Sequence, residues 1–462
     1  MTPRPFDAGS YLAWNATERP DEAAVIDADR SLSFRELAGR VGAICRELKR
    51  RGAGPGTSVG VRLPNVWEYV ALEIAIPHTG GVIVPLPLSL GEAELRWAVE
   101  RSGARFVIDD RDVDGWRRLE AAELPPSPPA DASRIVEIAL TSGTTGMPKL
   151  ASLTAGLKQA TYEGFTARLQ IGAGSRVLPM TPLTQGIGGM CLYGLRNGAG
   201  LVMLHEPRFT PEHVLGLVRR HRPTHLVGVP TNIIRLLDHE AFPQPGEVAV
   251  TAVAGAPMPP DVARRWEGLT GSRVCGFYGS MDAGQLAVAS PDDPAEKRWE
   301  SVGRPHDIVE VRITDEGEIC GRGPTVQEHY WGEDRGPYSD DGWAHMGDLG
   351  RFDEDGYLYV VGRVKDLIIR GGNNINPHEV EAGLRSCRGV RDVCLIGRPD
   401  RELGERPVAF VVGDVSLTDL HAHLRGLGIS RYKWPEELIP VPEIPLSGPG
   451  KVDRRALLGR LT

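Results

Sequence analysis

The sequence predicts an α/β protein, α+β taken overall, and three observations carry that expectation. Residues 30 to 110 alternate helix-like and strand-like patterns, the rhythm of a sheet with helices packed on its faces. Strand-length apolar runs then recur at Ile135-Val-Glu-Ile-Ala-Leu140, Leu201-Val-Met-Leu204, His225-Leu-Val-Gly-Val229 and Val248-Ala-Val-Thr-Ala-Val253, separated by helical stretches. Such continuous runs suit a mostly parallel sheet buried on both faces, with ligands at the strand C-termini. From about residue 300 the texture changes to short strands and turns.

Along the chain, Ser33-Phe-Arg-Glu-Leu37 opens an amphipathic helix with capping-box spacing, and Ser58-Val-Gly-Val-Arg-Leu63 reads as a strand. Leu124-Pro-Pro-Ser-Pro-Pro-Ala130 is a proline-rich loop. Glu310-Val-Arg-Ile313, Gly317-Glu-Ile-Cys320 and Gly356-Tyr-Leu-Tyr-Val-Val361 suggest an antiparallel, barrel-like portion. A final α+β segment begins near Pro377, with Glu379-Val-Glu-Ala-Gly-Leu384 as its first helix, and the domain boundary falls at Gly362-Arg-Val-Lys-Asp366.

A chain of 462 residues is long enough for two to four domains at roughly 150 residues each. Its 41% hydrophobic and 25% charged residues are those of an ordinary globular protein, and a net charge of -8 opposes nucleic acid as the main partner. The six cysteines show no C-x-x-C pair, which disfavours a metal cluster or disulfide framework. No stretch approaches the roughly 18 apolar residues of a membrane span and the N-terminus has no apolar leader core, so no membrane partner and a cytoplasmic location are expected.

Thr141-Ser-Gly-Thr-Thr-Gly-Met-Pro-Lys149 packs two glycines, four hydroxyls and one lysine into nine residues. Glycines let backbone N–H groups approach an anion, hydroxyls donate to its oxygens and a lysine supplies point charge, so the stretch reads as a phosphate cradle. A Walker loop is excluded by spacing: its two glycines have four residues between them and a hydroxyl directly after the lysine, whereas Gly143 and Gly146 have two between them and Leu150 follows Lys149 here. Pro148 also argues against Lys149 lying in an uninterrupted helix.

Further motifs follow in order: Ala254-Gly-Ala-Pro-Met258, Tyr278-Gly-Ser-Met-Asp282, Gly347-Asp-Leu-Gly350, Gly362-Arg-Val-Lys-Asp366 and Pro445-Leu-Ser-Gly-Pro-Gly-Lys451. Together with 141–149 they resemble the adenylate-forming enzymes, the superfamily of acyl-CoA synthetases, aryl-acid adenylating enzymes, peptide-synthetase adenylation domains and luciferases. The resemblance implies a large N-terminal domain, 1–363, of stacked mixed sheets with helices plus a small barrel-like portion. It also implies a small mobile α+β C-terminal domain, 364–462. The implied reaction is ATP-dependent acid–thiol ligation: a carboxylate and MgATP give an acyl-AMP, which passes to the thiol of CoA or of phosphopantetheine on an acyl or aryl carrier protein. Rival readings are an adenylating enzyme with a non-thiol acceptor and a nucleotide-binding protein that has lost turnover.

The same resemblance implies the roles. Lys451 would be catalytic, aimed at charge developing on the α-phosphate. Thr141, Ser142, Gly143, Thr144, Thr145, Gly146 and Lys149 would hold the β- and γ-phosphates. Gly255 and Ala256 would line one side of adenine, with Tyr278 and Gly279 on the other. Asp348 and Arg363 match the ribose-binding pair, Lys365 the hinge, and Gly371 with Gly372 the pantetheine tunnel. Asp282 would hold Mg²⁺.

Four residues depart from the pattern. Met281-Asp282 stands where Thr-Glu is usual; Asp is still a hard oxygen ligand, while Met281 removes a hydroxyl. Met346 replaces a threonine before Gly347. Gln185 stands where a histidine or aromatic is usual, and 181–189 contains no acid to anchor an α-amino group, which disfavours an amino-acid substrate. Gln185, Gly186 and Gly279 are the candidate acid-binding residues. Gly186, Gly188 and Gly189 either leave room for a flat group or serve backbone packing. With Gly428-Ile-Ser-Arg-Tyr-Lys-Trp-Pro435, which resembles aryl-acid adenylating enzymes, they point to an aromatic or compact acid.

Overall fold

A computed structural model of the protein describes residues 7–27, 30–141, 149–205, 209–241, 244–281, 283–371, 373–445 and 452–461. The capping box expected at Ser33 is present. The Ser33 hydroxyl accepts from the backbone of Glu36 at 3.2 Å, and the Glu36 carboxylate accepts from the backbone of Ser33 at 2.8 Å. Two orphan donors of the first turn are thereby satisfied, and the helix runs over Phe34–Arg50 with Phe34, Leu37, Val41, Ile44 and Leu48 buried.

The chain divides into two compact units. The larger comprises 1–311, 320–345 and 353–358. Its principal sheet has nine strands in the order Arg304–Pro305, Gly284–Val288, Arg273–Ser280, Val250–Val253, His225–Gly228, Arg176–Pro179, Gly200–Val202, Ala23–Ile26, Ser31–Ser33. From Arg273–Ser280 across to Ala23–Ile26 every neighbouring pair is parallel, as the apolar runs predict. Both edges are antiparallel, which makes the sheet mixed.

The second sheet of this unit has five strands, ordered Val107–Asp109, Ser58–Arg62, Val82–Pro85, Ile135–Thr141, Lys149–Thr154, with only the last pair antiparallel. Helix Trp67–His78 is buried almost all round, including Glu68 and Glu73. One apolar cluster takes in Trp67, Tyr69 and Val70 of this helix, Val59, Val61 and Ile83 of the second sheet, and Val177, Leu201 and Val227 of the first. Each such side chain contributes roughly 1.5–3 kcal/mol on leaving water.

Glu310–Ile313, Glu318–Arg322, Ala344–Phe352 and Leu358–Arg363 form a four-stranded sheet. Two strands start later than the sequence suggests, because Gly317 and Gly356 sit in turns with φ of 88° and 79°. The smaller unit comprises 312–319, 346–352 and 359–462. In it, helix Pro377–Arg385 and helix Leu417–Gly426 accompany a sheet built on the long antiparallel pair Val390–Asp400 and Gly404–Gly413. Arg454 ties this unit internally, reaching Glu381 at 3.0 Å and Asp366 at 3.5 Å. No helix among the described residues is long and apolar enough to cross a membrane.

Candidate active site

Four parallel neighbours of the nine-stranded sheet, Arg176–Pro179, His225–Gly228, Val250–Val253 and Arg273–Ser280, end at the same edge. Gln185 and Gly186 follow the first of these strands, Gly255 and Ala256 follow the third, and Tyr278 and Gly279 lie at the end of the fourth. The topology alone therefore gathers three of the sequence motifs at one sheet edge, where open α/β sheets bind ligands.

Local geometry fixes each. Gly255 is in the left-handed region at φ 83°, and a Cβ there would stand 3.1 Å from Cδ1 of Ile187 and 3.5 Å from Cγ1 of Val229. Gly255 and Ala256 are both exposed, whereas Tyr278 is buried. A β-bulge falls between Tyr278 and Gly279. At Gly279 a Cβ would meet the carbonyl of Gly284 at 2.4 Å, so the strand pair closes only on a glycine. The turn beyond is held by the Ser280 hydroxyl, which accepts from the backbone of Ala283 at 2.9 Å. Met281 lies in that turn; Asp282 lies outside the described residues.

Gln185 is the N-cap of the short helix Gly186–Met190, and its side chain makes no capping bond. Gly188 serves backbone packing, since a Cβ there would lie 2.2 Å from the carbonyl of Pro182. Gly186 is different: the position of a Cβ is 2.8 Å from the sulfur of Met281. Asn65, unremarked in the sequence, braces this segment from both sides. Its amide donates to the carbonyl of Thr181 at 3.1 Å and accepts from the backbone of Leu183 at 2.8 Å. Asn65 is buried, and the partners stand more than a hundred residues away, so no local pattern marks it.

Thr141 and Lys149 are cross-strand partners in the antiparallel pair Ile135–Thr141 and Lys149–Thr154. Lys149 thus begins a strand, in keeping with Pro148 before it. Its ammonium lies 4.3 Å from the ring centroid of Tyr330, a second residue that no local pattern marks. The Thr141 hydroxyl is buried with no hydrogen-bond partner among the described residues. Ser142, Gly143, Thr144, Thr145 and Gly146 lie outside the described residues. Met281 packs on Ala139, Ala151, Leu153 and Leu157, so the base of this hairpin adjoins the end of Arg273–Ser280.

In the smaller unit Arg363 and Asp348 meet, Nε to Oδ1, at 3.1 Å. They stand on neighbouring strands, Leu358–Arg363 and Ala344–Phe352. Gly347, at φ 70°, donates its N–H to the Glu318 carboxylate at 2.9 Å, which fixes the backbone beside Asp348. Met346 precedes them, half-buried. Lys365 is exposed in the short 3-10 helix Val364–Asp366. Gly371, at φ 54°, donates its N–H to the carbonyl of Leu403 at 2.7 Å. Gly372 and Lys451 lie outside the described residues.

The model of the AMP-binding enzyme family matches residues 12–331, and that of the AMP-binding enzyme C-terminal domain matches residues 379–451. The chain belongs to the adenylate-forming enzymes. Among its relatives is a feruloyl-CoA synthase from an Amycolatopsis species, 32% identical over 96% of this chain and 97% of the relative. Among solved structures, ATP-bound MatB from Rhodopseudomonas palustris superposes with a TM-score of 0.89 at 25% identity, covering 99% of each chain. The o-succinylbenzoate CoA synthetase MenE from Bacillus subtilis, in complex with the acyl-adenylate intermediate OSB-AMP, has a TM-score of 0.86 at 27% identity, covering 99% of this chain and 98% of that one. For an adenylate-forming enzyme, a mixed-sheet N-terminal domain followed by a small C-terminal domain is the family architecture, and this chain has both.

Proposed function

We propose that the chain is an acid–CoA ligase acting on an aromatic or compact carboxylic acid. The carboxylate attacks the α-phosphate of ATP, pyrophosphate leaves, and the acyl-AMP formed is attacked by a thiol that displaces AMP. Adenylation is needed because an oxide is a hopeless leaving group from a carboxylate, whereas AMP is a good one. The observation that carries the reading is the convergence of four motifs, around Thr141/Lys149, Gly186, Gly255 and Tyr278, at one end of the larger unit.

Each residue then has a task. Thr141, whose buried hydroxyl has no partner among the described residues, and Lys149 flank residues 142–146, which hold the β- and γ-phosphates. Gly255 and Ala256 offer a flat, open face to adenine, opposite Tyr278 and Gly279. Asp348, held by Arg363, accepts from the ribose hydroxyls. Asp282 supplies a carboxylate of the hard type that Mg²⁺ prefers, and the ion when bound would neutralise phosphate charge. Lys451 places a cation toward the α-phosphate in the transition state.

Lys365 is the hinge in this reading, the domains divide at 363/364, and Gly371 and Gly372 line the path of the pantetheine arm. The relatives named for feruloyl and o-succinylbenzoyl groups favour an aromatic acid bound beside Gln185, Gly186 and Gly279. The acceptor thiol is that of CoA, with phosphopantetheine on a carrier protein as the equivalent protein-bound form. Six buried free thiols suit a reducing, cytoplasmic setting. Product mass tests the proposal: aryl acid, MgATP and CoA should give the acyl-CoA. A product formed equally well without CoA would refute thiol transfer.

A further inference from the structure

Met281 and Gly186 stand 95 positions apart in sequence, yet a Cβ on Gly186 would lie 2.8 Å from the Met281 sulfur and 3.5 Å from its Cγ. The glycine is therefore filled from outside: the thioether occupies the space that a side chain at 186 would take. Met281 is half-buried, and it packs on Ala139, Ala151, Leu153 and Leu157. Those residues belong to the hairpin that flanks the phosphate loop and to the helix Ala155–Arg168 that follows it. The room expected beside Gly186 is thus already partly taken by the protein itself.

We propose that Met281 is a specificity-determining residue for the acid. Resting on the assignment of Gly186 to the acid site, the inference is that the thioether forms one wall of that site and limits the bulk of the acid it admits. A hydroxyl at 281 would be too short to reach over Gly186, so this chain exchanges a polar group for an apolar wall. An alanine at 186 would force the Met281 thioether to move. The unbranched, polarizable methionine conforms to an irregular gap, and an apolar wall discriminates by shape. One methylene more or less in such a pocket is worth about 10- to 200-fold in kcat/KM.

The test is a double-mutant cycle of Met281→Ala and Gly186→Ala on the full chain. The readout is kcat/KM for 2-naphthoate relative to benzoate, in ATP–pyrophosphate exchange. Met281→Ala should raise that ratio by about 10-fold or more, with the KM for ATP little changed. Gly186→Ala should lower the ratio by pushing the thioether inward, and the double variant should regain much of the loss. A ratio unchanged in Met281→Ala alongside a raised KM for ATP would overturn the proposal, because Met281 would then serve the nucleotide.

The contact itself has a readout that needs no substrate. Gly186→Ala should lower the thermal unfolding midpoint by about 2 °C, and the loss should shrink when Met281 is alanine. Strict additivity there contradicts the pairing. Coupled unfolding in a wild-type protein that activates no acid overturns instead the ligase reading on which the specificity role depends.

Discussion

Arg363 Nε lies 3.1 Å from Asp348 Oδ1, joining the two motifs that the sequence matched to ribose binding. The carboxylate side chain is largely covered and the guanidinium is more than a third exposed, so the arginine holds the acid in place from the solvent side. In the proposed role this carboxylate accepts hydrogen bonds from the two ribose hydroxyls.

Asp348→Ala should therefore raise the KM for ATP by about 10- to 100-fold, the worth of one or two hydrogen bonds to a charged group. Arg363→Lys should recover little relative to Arg363→Ala, because a point ammonium does not reproduce the guanidinium fork. Steady-state exchange kinetics with varied ATP measure both. An Asp348→Ala enzyme with unaltered KM for ATP removes the ribose role.

Lys451→Ala should slow adenylation by about 10²–10³ while leaving capture of a pre-formed acyl-adenylate by CoA near wild-type. Single-turnover assays of the two half-reactions separate these effects. Equal loss in both halves contradicts a role confined to the first transition state.

His306 predicts an acid limit to stability. It is buried, its Nε2 lies 3.0 Å from Oε1 of Gln285, and burial followed by the nearby Arg168 cation pushes its pKa down to about 4. The unfolded chain binds the proton near pH 6.5 and the folded chain near pH 4, so between these values the unfolded state carries more protons. Stability is then fully present above pH 6.5 and is lost by about 3 kcal/mol as pH falls to 4. Urea unfolding across that range should show a slope that His306→Gln reduces by about one proton. An identical slope in the variant assigns the acid sensitivity elsewhere.

Lys158 bridges two carboxylates: its Nζ lies 2.6 Å from Glu73 and also bonds Glu137, with Lys158 and Glu73 buried and Glu137 half-buried. Burial, only partly offset by Lys158, raises the Glu73 pKa to about 7. Lys158→Met should cost about 3–5 kcal/mol, because it leaves two carboxyl groups together in the core. Replacing Glu73 by Gln in the same chain should recover part of it. Denaturant unfolding gives both values; a loss below 1 kcal/mol would mean that water reaches the site.

The fold was legible wherever a local pattern carries the information. The capping box at Ser33, the apolar runs of the parallel strands and the change of texture near residue 300 each reflect a chemistry confined to a few neighbours. Helix Trp67–His78 was not read, because burial on nearly every side erases the apolar stripe that marks a helix. The strand Ala23–Ile26 pairs with Gly200–Val202, a register no local signal encodes.

The site shows the same division. Motif order named Asp348 and Arg363, and the structure joins them. Asn65 behind Thr181 and Leu183, Tyr330 under Lys149, and Met281 over Gly186 are contacts between distant segments. Gly188 and Gly186, alike in sequence, separate only in three dimensions: one accommodates a backbone carbonyl, the other a thioether.

Acid-dependent ATP–pyrophosphate exchange tests the central claim most directly, run over a panel of aryl, short alkyl and β-amino acids. Adenylation by this chain predicts exchange stimulated by aryl or compact acids, slowed by about 10²–10³ in Lys451→Ala and accompanied by acyl-CoA when CoA is added. No exchange with any acid, while the protein still binds ATP, would contradict it.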